Sequence, residues 1–127
     1  MEGSISEESI FESIRKMIGG GMYTYAEEGP FDFDIILHIN TVLGILNQIG
    51  IGKEGFSITD GSETWDDFLG EQEKEKGITL NEVKSYVAIR VRLLFDTPSS
   101  SVLTQHLKDE YEELGWRLMV KAEGSNN

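Results

Sequence analysis

Apolar residues recur at helical spacing in four stretches of the chain, separated by segments rich in glycine, proline and charge. In the first, residues 4–18, Ile10, Ile14, Met17 and Ile18 form one narrow stripe. Ser4 and Glu7 have capping-box spacing, Ser6 is an alternative cap, and Gly19-Gly20-Gly21 stops the helix. A narrow stripe beside a glycine run suits a helix that packs either on its own domain or on a neighbouring subunit. Residues 22–31 read as a linker carrying Met22, Tyr23 and Tyr25, with a turn at Gly29-Pro30.

The second helix spans 32–49, with Asp32 or Asp34 as cap and Gly50 as C-cap. Ile35, Ile39, Val42, Leu46 and Ile49 trace its core face, and Ile36, Leu43 and Ile45 widen it until most sides are expected to be buried. A connector follows over 51–61, with a short strand possible at Phe56–Thr59 and a turn at Asp60-Gly61. Ser62 caps a short helix anchored by Trp65, with Phe68 and Leu69 beside it. The third main helix, 80–96, takes Thr79 as N-cap and Glu82 as its capping-box partner. Its core face is Leu80, Val83, Val87, Val91 and Leu94, with Tyr86, Ile89, Leu93 and Phe95 covering much of the rest; it is the expected centre of the fold. Asp96-Thr97-Pro98 breaks it, and Ser100 or Ser101 caps a last helix over about 102–122. There Leu103, Leu107, Tyr111, Leu114 and Leu118 share a face, while Trp116, Met119 and Val120 lie off it. Gly115 interrupts the stripe, as close approach of another helix would require.

These elements predict an all-α fold: a small bundle of three to four main helices, with a projecting loop that holds a short strand or hairpin at most. The 127 residues, 39% of them hydrophobic, suffice for one domain with one core. The net charge of −12 argues against a module that grips nucleic acid, because such binding rests on neutralising many phosphates. It does not argue against surrounding DNA without holding it. From Glu54 to Lys76 eight acids face two lysines, so half of the net charge sits in that short segment, either as a solvated face or as a surface toward a polyanion or a basic partner. Arg90 and Arg92 stand about 200° apart around their helix, so they cannot share a patch, and each snorkels or pairs with a nearby acid. The N-terminus lacks the basic start and apolar run of a signal peptide. The longest apolar-rich piece, Ile35–Ile51, is broken by His38, Asn40, Thr41, Asn47 and Gln48, too polar for a membrane span.

Little in the chain suggests chemistry. It has no cysteine, which excludes a disulfide framework and cysteine-based metal or thiol chemistry. His38 and His106 lie in different helices without metal-ligand spacing, and both read as structural. No phosphate-binding glycine loop and no nucleophile elbow is present. Asp66-Asp67 and Glu112-Glu113 are adjacent acids pointing about 100° apart on a helix, so they do not converge on a substrate. Glu8 with Glu12, and Asp109 with Glu113, have the spacing to hold a cation, as helix surfaces commonly do. The expectation is a protein that binds other proteins and is not an enzyme, with no catalytic, cofactor-binding or metal-binding residue and no cofactor.

Four pieces together resemble the head–tail connector family of tailed bacteriophages and of prophages of Gram-positive bacteria. They are FDFDIILHINTVLGILNQIG at 31–50, FSITDGSETWDDFLG at 56–70, LNEVKSYVAIRVRLLFD at 80–96 and PSSSVLTQHLKDEYEELGWRL at 98–118. The resemblance implies a structural subunit of a homo-oligomeric ring that binds beneath the portal, extends the DNA channel and serves head completion and tail joining. Its implied partners are further copies of itself, the portal protein and a downstream head-completion or tail protein. DNA passes through without sequence-specific binding, and no membrane is involved. The implied location is the head–tail interface of the virion, and the bacterial cytoplasm during assembly. Residues 1–30 would be an N-terminal helix and flexible linker, 31–122 the helical connector domain and 123–127 a disordered tail. The loop 50–79 would project from the bundle toward a neighbour or the channel. Candidate interface or channel residues are Trp65, Asp66, Asp67, Arg90, Arg92, Trp116, Met119 and Val120. The alternative is a non-catalytic protein-binding adaptor or a protein of another step in phage morphogenesis.

Overall fold

A computed structural model of the chain describes residues 8–19, 31–95 and 98–124. These hold six helices and no strand: α1 (Ile10–Gly19), α2 (Asp32–Gln48), α3 (Trp65–Phe68), α4 (Glu71–Glu75), α5 (Leu80–Phe95) and α6 (Ser101–Gly124). The architecture is an all-α bundle of four main helices and two short ones. At its centre α5 packs against α1, α2 and α6. Its buried residues, Val83, Tyr86, Val87, Ala88 and Val91, spread over more than half of its circumference, as contact on three sides demands. Thr79 and Glu82 form the expected capping box: the Glu82 amide donates to Thr79 Oγ1 at 3.2 Å and the Thr79 amide to Glu82 Oε1 at 3.1 Å. Leu94, assigned to the core face, is exposed instead. Phe95 takes the contact in that last turn, its ring 5.5 Å from that of Phe31.

Of the two positions open to the first helix, the structure shows the one on its own domain. Ile10, Phe11, Ile14 and Ile18 join the core, whereas Met17, expected in the same stripe, is exposed. The helix begins later than residue 4, and the proposed caps Ser4 and Ser6 lie outside the described residues. Ser9 performs the capping, accepting from the Glu12 amide at 3.1 Å. Gly19 is the last residue of α1; Gly20, Gly21 and the linker with its two tyrosines lie outside the described residues. Arg15, with only 2% of its surface exposed, is the one base buried in the core of the described residues. Its guanidinium donates to both Asp32 carboxylate oxygens at 3.2 Å and to Glu12 at 2.9 Å, and lies against the Phe11 ring. A buried charge is tolerable only when paired in this way. The pairing also corrects the expected role of Asp32. Phe31 occupies the N-cap position of α2 with no side-chain cap bond, and the Asp32 carboxylate is turned to Arg15 instead.

The C-terminus of α2 closes as predicted. The Gly50 amide donates to the Asn47 carbonyl and the Ile51 amide to the Leu46 carbonyl, a Schellman arrangement with Gly50 at φ +95°. The following segment does not stand off from the bundle as expected. Ile51, Ile58, Trp65, Phe68 and Ile78 are all buried in the common core. Phe56–Thr59 forms no strand. The Asn40 side chain takes the place of a partner strand, accepting from the Ile58 amide at 2.8 Å and donating to its carbonyl at 3.0 Å. Thr64, not Ser62, caps α3, in a capping box with Asp67. Backbone bonds from Ile10 to Glu63 and from Trp65 to Glu8 tie the start of α1 to this segment.

Ser100 caps α6, accepting from the Leu103 amide at 3.2 Å. Close packing of α6 is with α5, and a helix with one neighbour buries only a narrow stripe. Leu118 and Ala122 are buried, Tyr111 and Leu114 are partly covered, and Leu103, expected on the same face, is exposed. Gly115 permits the approach. A Cβ there would stand 3.0 Å from Tyr86 Cε1, tighter than ordinary van der Waals contact.

Candidate interaction surfaces

The described residues contain no group of three or more histidine, cysteine, aspartate or glutamate side chains placed to share a metal ion. Each of the four acids with cation-holding spacing already has a donor. Glu8 binds Lys84 at 2.8 Å, Glu12 binds Arg15, Asp109 accepts from Gln105 at 3.0 Å, and Glu113 binds Arg117 at 2.7 Å. His38 is half-buried near the Phe95 ring, and His106 is exposed. What the surface does offer is apolar ridges, an acidic hollow and unpaired arginines.

Trp116, Met119 and Val120 are related by i, i+3 and i, i+4 spacing, so they form one ridge on α6. Trp116 is 62% exposed, and Met119 and Val120 are open as well. The ridge points away from the Leu118–Ala122 stripe that meets the core. A tryptophan left this open loses the burial that normally accounts for its use in a small domain. A second ridge lies on α2, where Phe33 (70% exposed) and Leu37 stand one turn apart on the side opposite Ile35, Ile39 and Val42. Because α2 and α6 each pack on α5, the two ridges belong to different helices and are unlike in shape and composition.

The acidic segment forms an open hollow of about 920 Å³ beside the C-terminal end of α2. Glu54, Asp66, Asp67 and Glu71 line it, with Lys53 the only base in its wall. Asp67 is partly committed, accepting from the Thr64 amide at 2.9 Å. Glu73 looks like one more solvated acid in the sequence, yet it is 4% exposed. Its carboxylate accepts from the backbone amides of Gly70 and Gly52, each at 2.8 Å, and so staples α4 to the loop after α2. The charge of the segment therefore divides into one buried carboxylate, three at Asp60, Glu63 and Asp67 that accept from neighbouring amides, and the remainder.

Arg90 and Arg92 form none of the ion pairs found among the described residues, so pairing with a nearby acid does not account for them. The Arg90 guanidinium sits 5.1 Å from the centre of the Tyr111 ring. That ring stacks on Tyr86 at 4.5 Å, and the Tyr86 hydroxyl donates to the Tyr111 hydroxyl at 2.9 Å. Burial, then the bond to Tyr111, push the Tyr86 phenol well above its usual value despite the nearby Arg90. In contrast, Lys121 is engaged, binding Glu82 at 2.7 Å and the Gly77 carbonyl at 3.0 Å. Burial alone would raise the Glu82 carboxyl, but the bonds from Lys121 and Thr79 outweigh it and hold the group below its ordinary value.

The structure separates the residues singled out in the sequence. Asp66 and Asp67 border the hollow, Trp116, Met119 and Val120 form a ridge, and Arg90 and Arg92 are partly enclosed on separate sides of α5. Trp65 is different: it is fully buried, its Nε1 donating to Ser13 Oγ at 2.9 Å, and has no surface to offer a neighbour or a channel. Its apolar-anchor role stands and its place among surface residues is corrected. Sequence reasoning missed Phe33 and Leu37, although their position off the Ile35–Ile39–Val42 face was a readable signal.

Comparison with known families gives one match. A family model described as phage connector protein covers residues 10–125, nearly the whole chain. Neither the curated proteins nor the solved structures yield a significant match.

Proposed function

Since the chain belongs to the phage connector protein family, we propose that it is a structural subunit of the head–tail connector ring, seated beneath the portal and extending the DNA channel during head completion and tail joining. The observation that supports this most is the pair of unlike apolar ridges, Phe33–Leu37 on α2 and Trp116–Met119–Val120 on α6. A subunit with two different sticky faces makes head-to-tail contacts, and these close into a ring when the rotation between copies is right. A two-fold dimer would need only one self-complementary face. The acidic balance suits a channel wall, because like charge keeps DNA from adhering as it moves. The partners are further copies of the chain, the portal and a downstream head-completion or tail protein, and the place of action is the virion's head–tail interface.

Trp116→Glu tests the ridge. The residue is largely solvated, so the substitution should leave the melting of the monomer within about 0.5 kcal/mol of the parent. It should nevertheless abolish assembly, read by sedimentation alone and in the presence of the portal. Phe33→Glu should do the same from the other side. Assembly of both variants at parental concentrations would remove the ridges from the account.

A further inference from the structure

A second cavity lies where α3, α4 and the start of α5 meet. It holds about 300 Å³, and Leu69, Ile78 and Leu80 form its apolar wall. Asp66, Glu71 and Lys74 line it too, and all three are exposed to solvent. Glu73 also borders it, but that carboxylate is already held by the amides of Gly70 and Gly52. The volume is at the bottom of the range for ligand pockets: it has room for one large side chain and none for a helix. Three aliphatic residues grouped in a concave wall, with charges beside them, have the make-up of a site for an apolar group that carries one polar atom.

Trp116 is such a group, and it is 62% exposed. Its indole nitrogen can only donate, and a tryptophan that becomes buried needs an acceptor there. Trp65 finds one in Ser13 within the core. At the cavity, Asp66 and Glu71 supply carboxylates for the same purpose, which the exposed phenyl ring of Phe33 could not use. Trp116 cannot reach the cavity of its own chain. Glu82 faces α6, where it binds Lys121, and Leu80, two positions earlier, points about 200° around α5 from it. The cavity is therefore on the side of α5 turned from α6, while Trp116 points outward from α6, away from the Leu118–Ala122 stripe.

We propose that Trp116 of one copy seats its indole in the Leu69–Ile78–Leu80 cavity of the next, as the anchor of a head-to-tail contact. The proposal rests on the ring reading and adds to it which surface receives the α6 ridge. A knob and a socket on different sides of one subunit are complementary between copies, the condition for head-to-tail growth. One tryptophan buries roughly 150–250 Å², against about 800 Å² per partner in a stable interface, so the socket supplies the anchor and the apolar ridges add to the area around it. Charges of both signs flank each part, Arg117 and Glu112 beside Trp116, and Asp66, Glu71 and Lys74 at the cavity, so the approach meets no uniform repulsion.

The chain has two tryptophans and Trp65 is fully enclosed, so a change in fluorescence on assembly reports on Trp116. Acrylamide should quench Trp116 in the monomer and lose access to it in the oligomer, with emission moving to shorter wavelength. Contact with any apolar surface would do as much, so the socket is tested separately. L80W fills the cavity from within its own chain. Read by native mass spectrometry, it should raise the concentration needed for assembly by about tenfold or more, as loss of an anchor does, without lowering the melting temperature of the monomer. If L80W folds poorly, L69W fills the cavity from another wall and should act in the same direction. Assembly of a folded, filled variant at the parental concentration, or a Trp116 that stays open to acrylamide in the parent oligomer, would each overturn the proposal while leaving the ring reading intact. A parent that forms no oligomer, alone or on the portal, would defeat the ring reading itself, before any variant is made.

Discussion

Replacing Trp65 with alanine should destabilise the monomer by about 3–5 kcal/mol, the range for a fully buried large aromatic. Trp65 is entirely enclosed and its indole donates to Ser13 on α1. Its backbone amide donates to the Glu8 carbonyl, so the residue joins α1 to the segment between α2 and α5 twice. Truncation opens a cavity among α1, α3 and their neighbours and leaves Ser13 Oγ without its donor. Urea unfolding with a linear extrapolation gives the loss directly. Trp65→Phe should cost less, since most of the volume is retained and chiefly the hydrogen bond is lost. A variant that assembles poorly but melts like the parent would mean that Trp65 meets a neighbouring subunit, contrary to its burial.

Gly52→Ala should be comparably damaging although it adds a single methyl group. Gly52 has φ +88°, a conformation in which a Cβ costs about 1–2 kcal/mol. The added Cβ would also fall 2.1 Å from Phe68 Cζ and 2.3 Å from Cε1. An aromatic ring that is itself buried cannot swing away, so relief would require moving α3 or the loop. Such overpacking commonly costs a further 1–3 kcal/mol or so. The Gly52 amide is the donor to buried Glu73, so any shift also strains the staple to α4. The expected loss is about 2–5 kcal/mol by the same unfolding measurement. Gly55, which also has positive φ but open space around it, provides the comparison: Gly55→Ala should carry only the backbone part. Equal losses at the two positions would show that contact with Phe68 does not matter.

The contrast between what was legible and what was not has a physical pattern. Signals confined to a few neighbouring residues were readable: the Thr79–Glu82 capping box, the Gly50 helix stop, the Ile35–Ile39–Val42–Leu46 face and the core position of Val83, Val87 and Val91. Features set by partners distant in sequence were not. Nothing in the residues around Arg15 marks it as buried; its partner Asp32 is 17 residues away. Asn40 reads as a break in an apolar helix until it is found clamping Ile58. Glu73 is indistinguishable from its acidic neighbours until two backbone amides converge on it. Leu94 and Leu103 have the spacing of core residues, but spacing does not say how many neighbours a helix has, and among the described helices the close packing of α6 is with α5. On the surface, Trp116, Met119 and Val120 stood out because they fell off the core face of their own helix. The Phe33–Leu37 ridge was hidden by the general apolarity of α2, and the place of Arg90 on the Tyr111 ring depends on a residue 21 positions away.

Whether the chain closes into a ring is measured most directly by native mass spectrometry across a concentration series, alone and with the portal. A ring subunit should give one closed oligomer of fixed subunit number, formed in solution or on the portal as template, with few intermediates between monomer and ring. A stable dimer or tetramer that never enters portal particles would contradict it.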